Sequence, residues 1–180
     1  PNIRPQATFP MMGLVYDNDK DLVYLAGSET VDLQNQVFNN HIDVVDPVTG
    51  QTLRRIDMKP HLSGHSIDDL AWDGVNLWVM DVHWKAADEH GLGGQCAPYI
   101  LKFDLDREQV LDLFPAPDKD TMDPRNYSMG WWQGLAWGNG YLWLVQGNSM
   151  WPYMGFLYQI DPSDGRVLSK VMLEDGYLYN

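Results

Sequence analysis

The sequence contains a single cysteine, Cys96, in 180 residues, which excludes an internal disulfide and a cysteine-rich zinc site. No apolar run approaches the ~20 residues of a membrane-spanning helix. No segment carries a 3.6-residue apolar period over ten or more positions, which excludes a helical solenoid. Basic residues are scarce too: 12 Lys and Arg stand against 25 Asp and Glu, a formal net charge of −13. A field of that sign repels nucleic acid and anionic membrane surfaces, so neither is expected as a partner, and the acidity serves solubility. The first residue is Pro1 and not Met, as a removed signal peptide or a trimmed chain would leave it. Asn126-Tyr127-Ser128 matches the glycosylation sequon, a three-residue pattern of little specificity.

What the sequence has in plenty is aromatic side chains, with 8 Trp, 9 Tyr and 5 Phe, and it has an internal repeat. A short hairpin appears as Leu14–Asp17 with Leu22–Leu25, as Leu70–Gly74 with Leu77–Met80, and as Leu135–Gly138 with Leu142–Val145. Asn, Asp or Gly supplies each turn, as hairpin chemistry requires. A second pattern follows each hairpin: a strand ending in Asp, a tight turn and a returning strand. Its Asp anchors are Asp46, Asp104 and Asp161, spaced by 58 and 57 residues.

Four short strands per unit at a near-constant period predict an all-β β-propeller with three four-stranded blades, half of a six-bladed ring. The blades are expected at about 12–58, 68–115 and 133–173, within one propeller domain over 1–180. A β-sandwich also uses short strands, but it does not predict the same two hairpins three times in register. In a blade the first strand, A, lines the central channel and the fourth, D, lies outermost. The A–B and C–D turns then share one face. The B–C loops (roughly 27–40, 81–98 and 146–155) and the D–A connections (roughly 59–67 and 115–132) share the other. Asp17-Asn18-Asp19-Lys20-Asp21 lacks the glycine and distal glutamate of an EF-hand and reads as a solvated turn. Long loops gathered on one side of a rigid scaffold are where function is usually found.

That side collects His65, Asp68, Asp69, His83 and Trp84 from blade 2, and Tyr127, Trp131, Trp132, Gln133, Asn148 and Trp151 from blade 3. Imidazole beside carboxylate can hold a metal or move protons, so His65, His83 and Asp68 are the catalytic candidates. Trp72, Trp78, Trp137 and Trp143 fall at matching strand positions and read as packing between blades. Trp84, Trp131, Trp132 and Trp151 fall in loops or at a strand's mouth, where a flat apolar surface suits a sugar or other small polar ligand. With Tyr127, Gln133 and Asn148 they form the expected ligand-binding set. The bland alternative is that these rings only hold long loops down.

The strings DLAWDGVNLWVMD, GLAWGNGYLWLV and LYQIDPSDGRVLSKV resemble repeats of gluconolactonase and streptogramin-lyase type propellers, and those of the glutamine cyclotransferase family. The resemblance covers the whole chain at the level of the blade. In gluconolactonase-like proteins it implies a divalent metal at the channel mouth, held by Glu, Asn and Asp. Here the corresponding positions are Met12, Asp68 and Gln133, of which only Asp68 matches. A possible calcium or magnesium ion is therefore assigned to Asp68 and Asp69, and no other cofactor. The resemblance and the non-Met start together imply a secreted or periplasmic location. Three functions follow as expectations: a binding module for a small polar molecule or glycan, a propeller enzyme of lyase, lactonase-like or cyclotransferase type, and a structural or assembly protein. Because three blades alone would expose two apolar faces, a homodimer through blade 1–blade 3 contacts is expected.

Overall fold

A computed structural model describes residues 11–32, 37–62, 66–85, 94–117, 130–148 and 154–174. Among the described residues there are twelve strands and no helix. The strands are β1 (Met11–Asp17), β2 (Leu22–Asp32), β3 (Val37–Val45), β4 (Thr52–Asp57), β5 (Ser66–Trp72), β6 (Leu77–Lys85), β7 (Gly94–Asp104), β8 (Gln109–Pro115), β9 (Gly130–Gly138), β10 (Tyr141–Asn148), β11 (Met154–Ile160) and β12 (Val167–Glu174). They form three four-stranded antiparallel sheets, each in simple sequence order. The first strands, β1, β5 and β9, lie beside one another. Each sheet is therefore a propeller blade, with its first strand innermost and its last outermost.

The turns explain the repeat. Asp46, Asp104 and Asp161 each accept a hydrogen bond from the backbone N–H two residues on, at Val48 (2.8 Å), Asp106 (2.9 Å) and Ser163 (2.9 Å). The carboxylate closes the turn after each third strand, which is why Asp recurs at that spacing. The Thr49 and Val48 N–H groups hold the Asp46 carboxyl below its ordinary range, and the Ser163 hydroxyl, with the Ser163 N–H adding to the effect, does the same for Asp161. Two residues of each turn later the chain turns left-handed, at Gly50 (φ 69°), Glu108 (φ 52°) and Gly165 (φ 74°). Between β9 and β10 the turn is Asn139-Gly140, both at positive φ, the two-residue form that matches strand twist.

Alternation along the strands distributes side chains between two cores. Leu77 and Val79 of β6 join Tyr24, Ile42, Ile56 and Met58 of blade 1. Their neighbours Trp78 and Met80 join Leu135, Leu142, Tyr158 and Ile160 of blade 3. Blade 2 is thus buried on both faces, while blades 1 and 3 are each buried on one. Trp72 packs on Tyr24 (ring centroids 5.3 Å apart) and Trp137 stacks on Trp78 (6.1 Å, planes 9° apart). Among the described residues Trp143 meets no ring of another blade, and it lies on the face of blade 3 turned away from blade 2.

The expected long B–C loops are largely strand. Gly27, Ser28, Glu29 and Thr30 pair with His41, Asn40, Asn39 and Phe38; Trp84 of β6 pairs with Gln95; Gln146 and Gly147 of β10 pair with Trp132 and Trp131. Trp84, Trp131 and Trp132 are strand residues and not loop residues. The physical reason is that a hairpin ladder, once begun, satisfies backbone N–H and C=O groups that a loop would leave to water. Residues 33–36, 86–93 and 149–153, which connect these hairpins, lie outside the described residues.

Candidate functional site at the inner edge of the blades

Each inner strand carries a β-bulge near its start. In β5, Ile67 faces Asp81 and Asp69 faces Met80, so Asp68 is the extra residue. In β9, Gly134 faces Val145 and Trp132 faces Gln146, so Gln133 is extra. In β1, Met12 and Gly13 together oppose Ala26. A bulge bends the strand and re-aims the residue it contains, and bulges are frequent beside active sites. The positions aligned by repeat, Met12, Asp68 and Gln133, are therefore set apart by backbone geometry, at the strand ends nearest the B–C and D–A connections.

Asp68 is half-buried, and burial pushes its pKa up to about 6, with the nearby Asp69 charge adding to the effect. Among the described residues no hydrogen-bond donor or cation reaches its carboxylate. Asp69 differs. Its Oδ2 accepts from the Leu135 N–H of β9 (2.7 Å) and its Oδ1 from its neighbour Leu70 (2.8 Å). Burial raises its pKa, and those two backbone N–H groups oppose the rise. Asp69 thus buckles blade 2 to blade 3. It is flanked by glycines at the same repeat position: a Cβ on Gly13 would meet Leu70 N at 2.7 Å and Asp69 Cα at 2.8 Å, and one on Gly134 would lie 3.8 Å from Asp69 Oδ2.

The other candidates fall around these bulges. Trp131, Trp132 and Gln133 are in β9, Asn148 faces Gly130 across the β9–β10 ladder, and His83 and Trp84 are in β6 opposite Cys96 and Gln95. The register gathers all of them at the same end of blades 2 and 3 as Asp68. His65, Tyr127 and Trp151 lie outside the described residues. Among the described residues no group of three or more His, Cys, Asp and Glu could hold a metal ion. With Asp69 held by backbone donors, Asp68 is the carboxylate at the bulges that the described residues leave without one.

One polar cluster escaped the sequence reading. On the open face of blade 1, Arg55 donates to both oxygens of buried Asp43 (2.7 and 2.8 Å), and the His41 ring lies over Gly27. His41 Nε2 is buried without a hydrogen-bond partner, and burial, then the Arg55 charge, lowers the imidazole pKa. The signal was present as His41 and Asp43 at period two on β3, with Arg55 directly across on β4. In blade 3 the places of His41, Asp43 and Arg55 hold Phe156, Tyr158 and Lys170, with the Lys170 ammonium over both rings, and Tyr158 Oη donates at 2.8 Å to Gln146 Oε1, at the place of Gly27.

No protein-family model matches the chain, and no curated protein matches it by sequence. Solved structures do match. A glutaminyl cyclase from Myxococcus xanthus is similar at a TM-score of 0.51 and 15% identity, over 89% of this chain and 50% of that one. The structure of U3-55K is similar at a TM-score of 0.52 and 15% identity, over 94% of this chain and 41% of that one. The chain therefore spans half or less of the length of these structures. At such identity the likeness is one of fold, and the fold is the propeller.

Proposed function

We propose that this propeller binds a small polar molecule or a glycan at the channel mouth, on the B–C/D–A face of blades 2 and 3. The observation that carries the reading is Asp68, displaced by a bulge onto the inner edge, half-buried, given no hydrogen-bond donor by the described residues and with a pKa of about 6. A desolvated carboxylate without a partner is costly for a fold to maintain and is best explained by a ligand that donates to it, such as a sugar hydroxyl. Trp84, Trp131, Trp132, Gln133 and Asn148 stand at the same strand ends, and in this reading their indoles and amides would complete the site. Saturation-transfer NMR with a panel of neutral mono- and oligosaccharides tests this. Binding of at least one sugar, lost in Asp68→Asn and in Trp131→Ala/Trp132→Ala with the fold retained, is expected. No binding across the panel, or binding that survives Asp68→Asn, would overturn it.

Asp68 also favours a second reading, because a carboxyl titrating near neutrality is suited to general acid–base work. The fold likeness to a glutaminyl cyclase makes cyclisation of an N-terminal glutaminyl peptide the first reaction to assay, by ammonia release. Activity that follows a pKa near 6 and disappears in Asp68→Asn would support catalysis over binding alone. A calcium or magnesium ion at this mouth is a further part of the proposal. Calcium or magnesium added to chelator-treated protein would have to raise the melting temperature for it to stand.

A further inference from the structure

The two junctions between the three blades are built alike, and the back of blade 1 and the front of blade 3 each carry one half of another. At the blade 1–blade 2 junction the Tyr24 ring, from the second strand, meets Trp72, from the next blade's first strand. At the blade 2–blade 3 junction the equivalent residues Trp78 and Trp137 meet. The register makes the equivalence explicit. Tyr24, Trp78 and Trp143 face Val15, Ala71 and Ala136 across their ladders, while Tyr16, Trp72 and Trp137 face Val23, Leu77 and Leu142. The second-strand aromatics are tethered alike to the end of the first strand. Tyr24 Oη donates to Asp17, Trp78 Nε1 to Asp73, and Trp143 Nε1 to the carbonyl of Gly138. Trp143 is thus held as its counterparts are, with none of the three described blades in front of it, and Tyr16 stands at the back of blade 1 with none of them behind it.

The aliphatic positions repeat the pattern. Leu70 and Leu135 are 1% and 5% exposed, but their blade 1 equivalent Leu14 is 61% exposed. Ile56 and Phe114 are 1% and 6% exposed, but their blade 3 equivalent Val171 is 51% exposed. On the back of blade 1 the Asp43–Arg55 pair is flanked by the exposed carboxylates Glu29 and Asp57 on the same face, while the front of blade 3 presents Trp143, Val145, Leu157, Gln159 and Val171.

We infer that the front of blade 3 docks on the back of blade 1 of a second copy of this chain, closing a six-bladed ring in which Trp143 packs on the partner's Tyr16. Two such junctions related by a two-fold axis close the ring. Three copies would make nine blades, beyond the usual four to eight. The inference stands on the repeat of the junctions and is independent of the ligand reading; closure completes the channel that the Asp68 bulge lines, once from each copy.

Light scattering on the eluting protein at micromolar concentration is expected to give about twice the 20.6 kDa of one chain. Tyr16→Lys and Trp143→Glu should each give a one-chain mass with an unchanged far-UV spectrum. An equimolar mixture of the two should recover the two-chain mass, because the mixed ring has one native junction. Leu14→Lys and Val171→Glu, at exposed positions free of aromatic tethers, should behave the same way. A one-chain mass for the parent, meaning that some other partner such as further blades of a longer polypeptide covers these faces, would overturn the inference. So would a three-chain mass, or dissociation by variants at only one end, which would indicate pairing of like faces.

Discussion

Glu108 and Asp68 are two residues placed where their chemistry is at odds with their surroundings. Glu108 occupies, at φ 52°, the left-handed turn position that is glycine in the other two blades. A side chain with a Cβ is strained there, and the ion pair of Glu108 with Arg54 is long (3.9 Å) and exposed. Glu108→Gly is expected to raise stability by up to about 1 kcal/mol, seen as a rise of a few degrees in melting temperature. The reverse change, Gly165→Ala, should lower it, since an added Cβ would lie 2.5 Å from the Phe114 ring at φ 74°. Asp68 makes a prediction in pH. Its folded pKa of about 6 lies above the ordinary 3.8, so the folded chain takes up the proton more readily than the unfolded one. Its contribution to stability therefore declines as pH rises from about 4 to about 6 and stays low above that. Asp68→Asn should stabilise the fold at pH 7.5 by on the order of 2 kcal/mol, seen as a higher melting temperature, and leave stability nearly unchanged at pH 3.5.

Among the elements, the inner strands are the most tightly set. Gly13 of β1 stands against the backbone of β5, whose Leu70 N and Asp69 Cα cannot give way as a flexible side chain would. Gly13→Ala should cost about 1–3 kcal/mol in a urea titration. Gly134→Ala, with 3.8 Å to its nearest neighbour, should change stability by less than about 1 kcal/mol. The sequence made the strands and their order readable because Asx turns and hairpin turns mark each strand end with a residue type. It made the inward-facing tryptophans readable because they recur at one place in the repeat. The length of the B–C hairpins was hidden, since polar pairs such as Ser28 with Asn40 look like loop residues and are joined by ladder bonds that no residue type announces. The bulges were legible only as an alignment of Met12, Asp68 and Gln133. That Asp69, one residue on, is committed to the Leu135 N–H could not be read, because the acceptor and donor lie 66 residues apart.

For the whole molecule, the arrangement of two cores about one central sheet decides where damage spreads. Trp78 is fully buried between Trp137 and Phe114, and Trp78→Ala should cost about 3–5 kcal/mol, a large share of the stability of a domain this size. Because β6 supplies Leu77 and Val79 to one core and Trp78 and Met80 to the other, neither core can open without exposing a face of blade 2. A molecule coupled through its middle loses its ends first. In native-state hydrogen exchange of the dissociated single chain, such as the Trp143→Glu variant, the amides of β5, β6 and β7 should exchange last and with a single common free energy. Those of β4 and β12, outermost in their sheets at either end of the chain, should exchange through cheaper, separate openings, as terminal repeats do in a quasi-linear array.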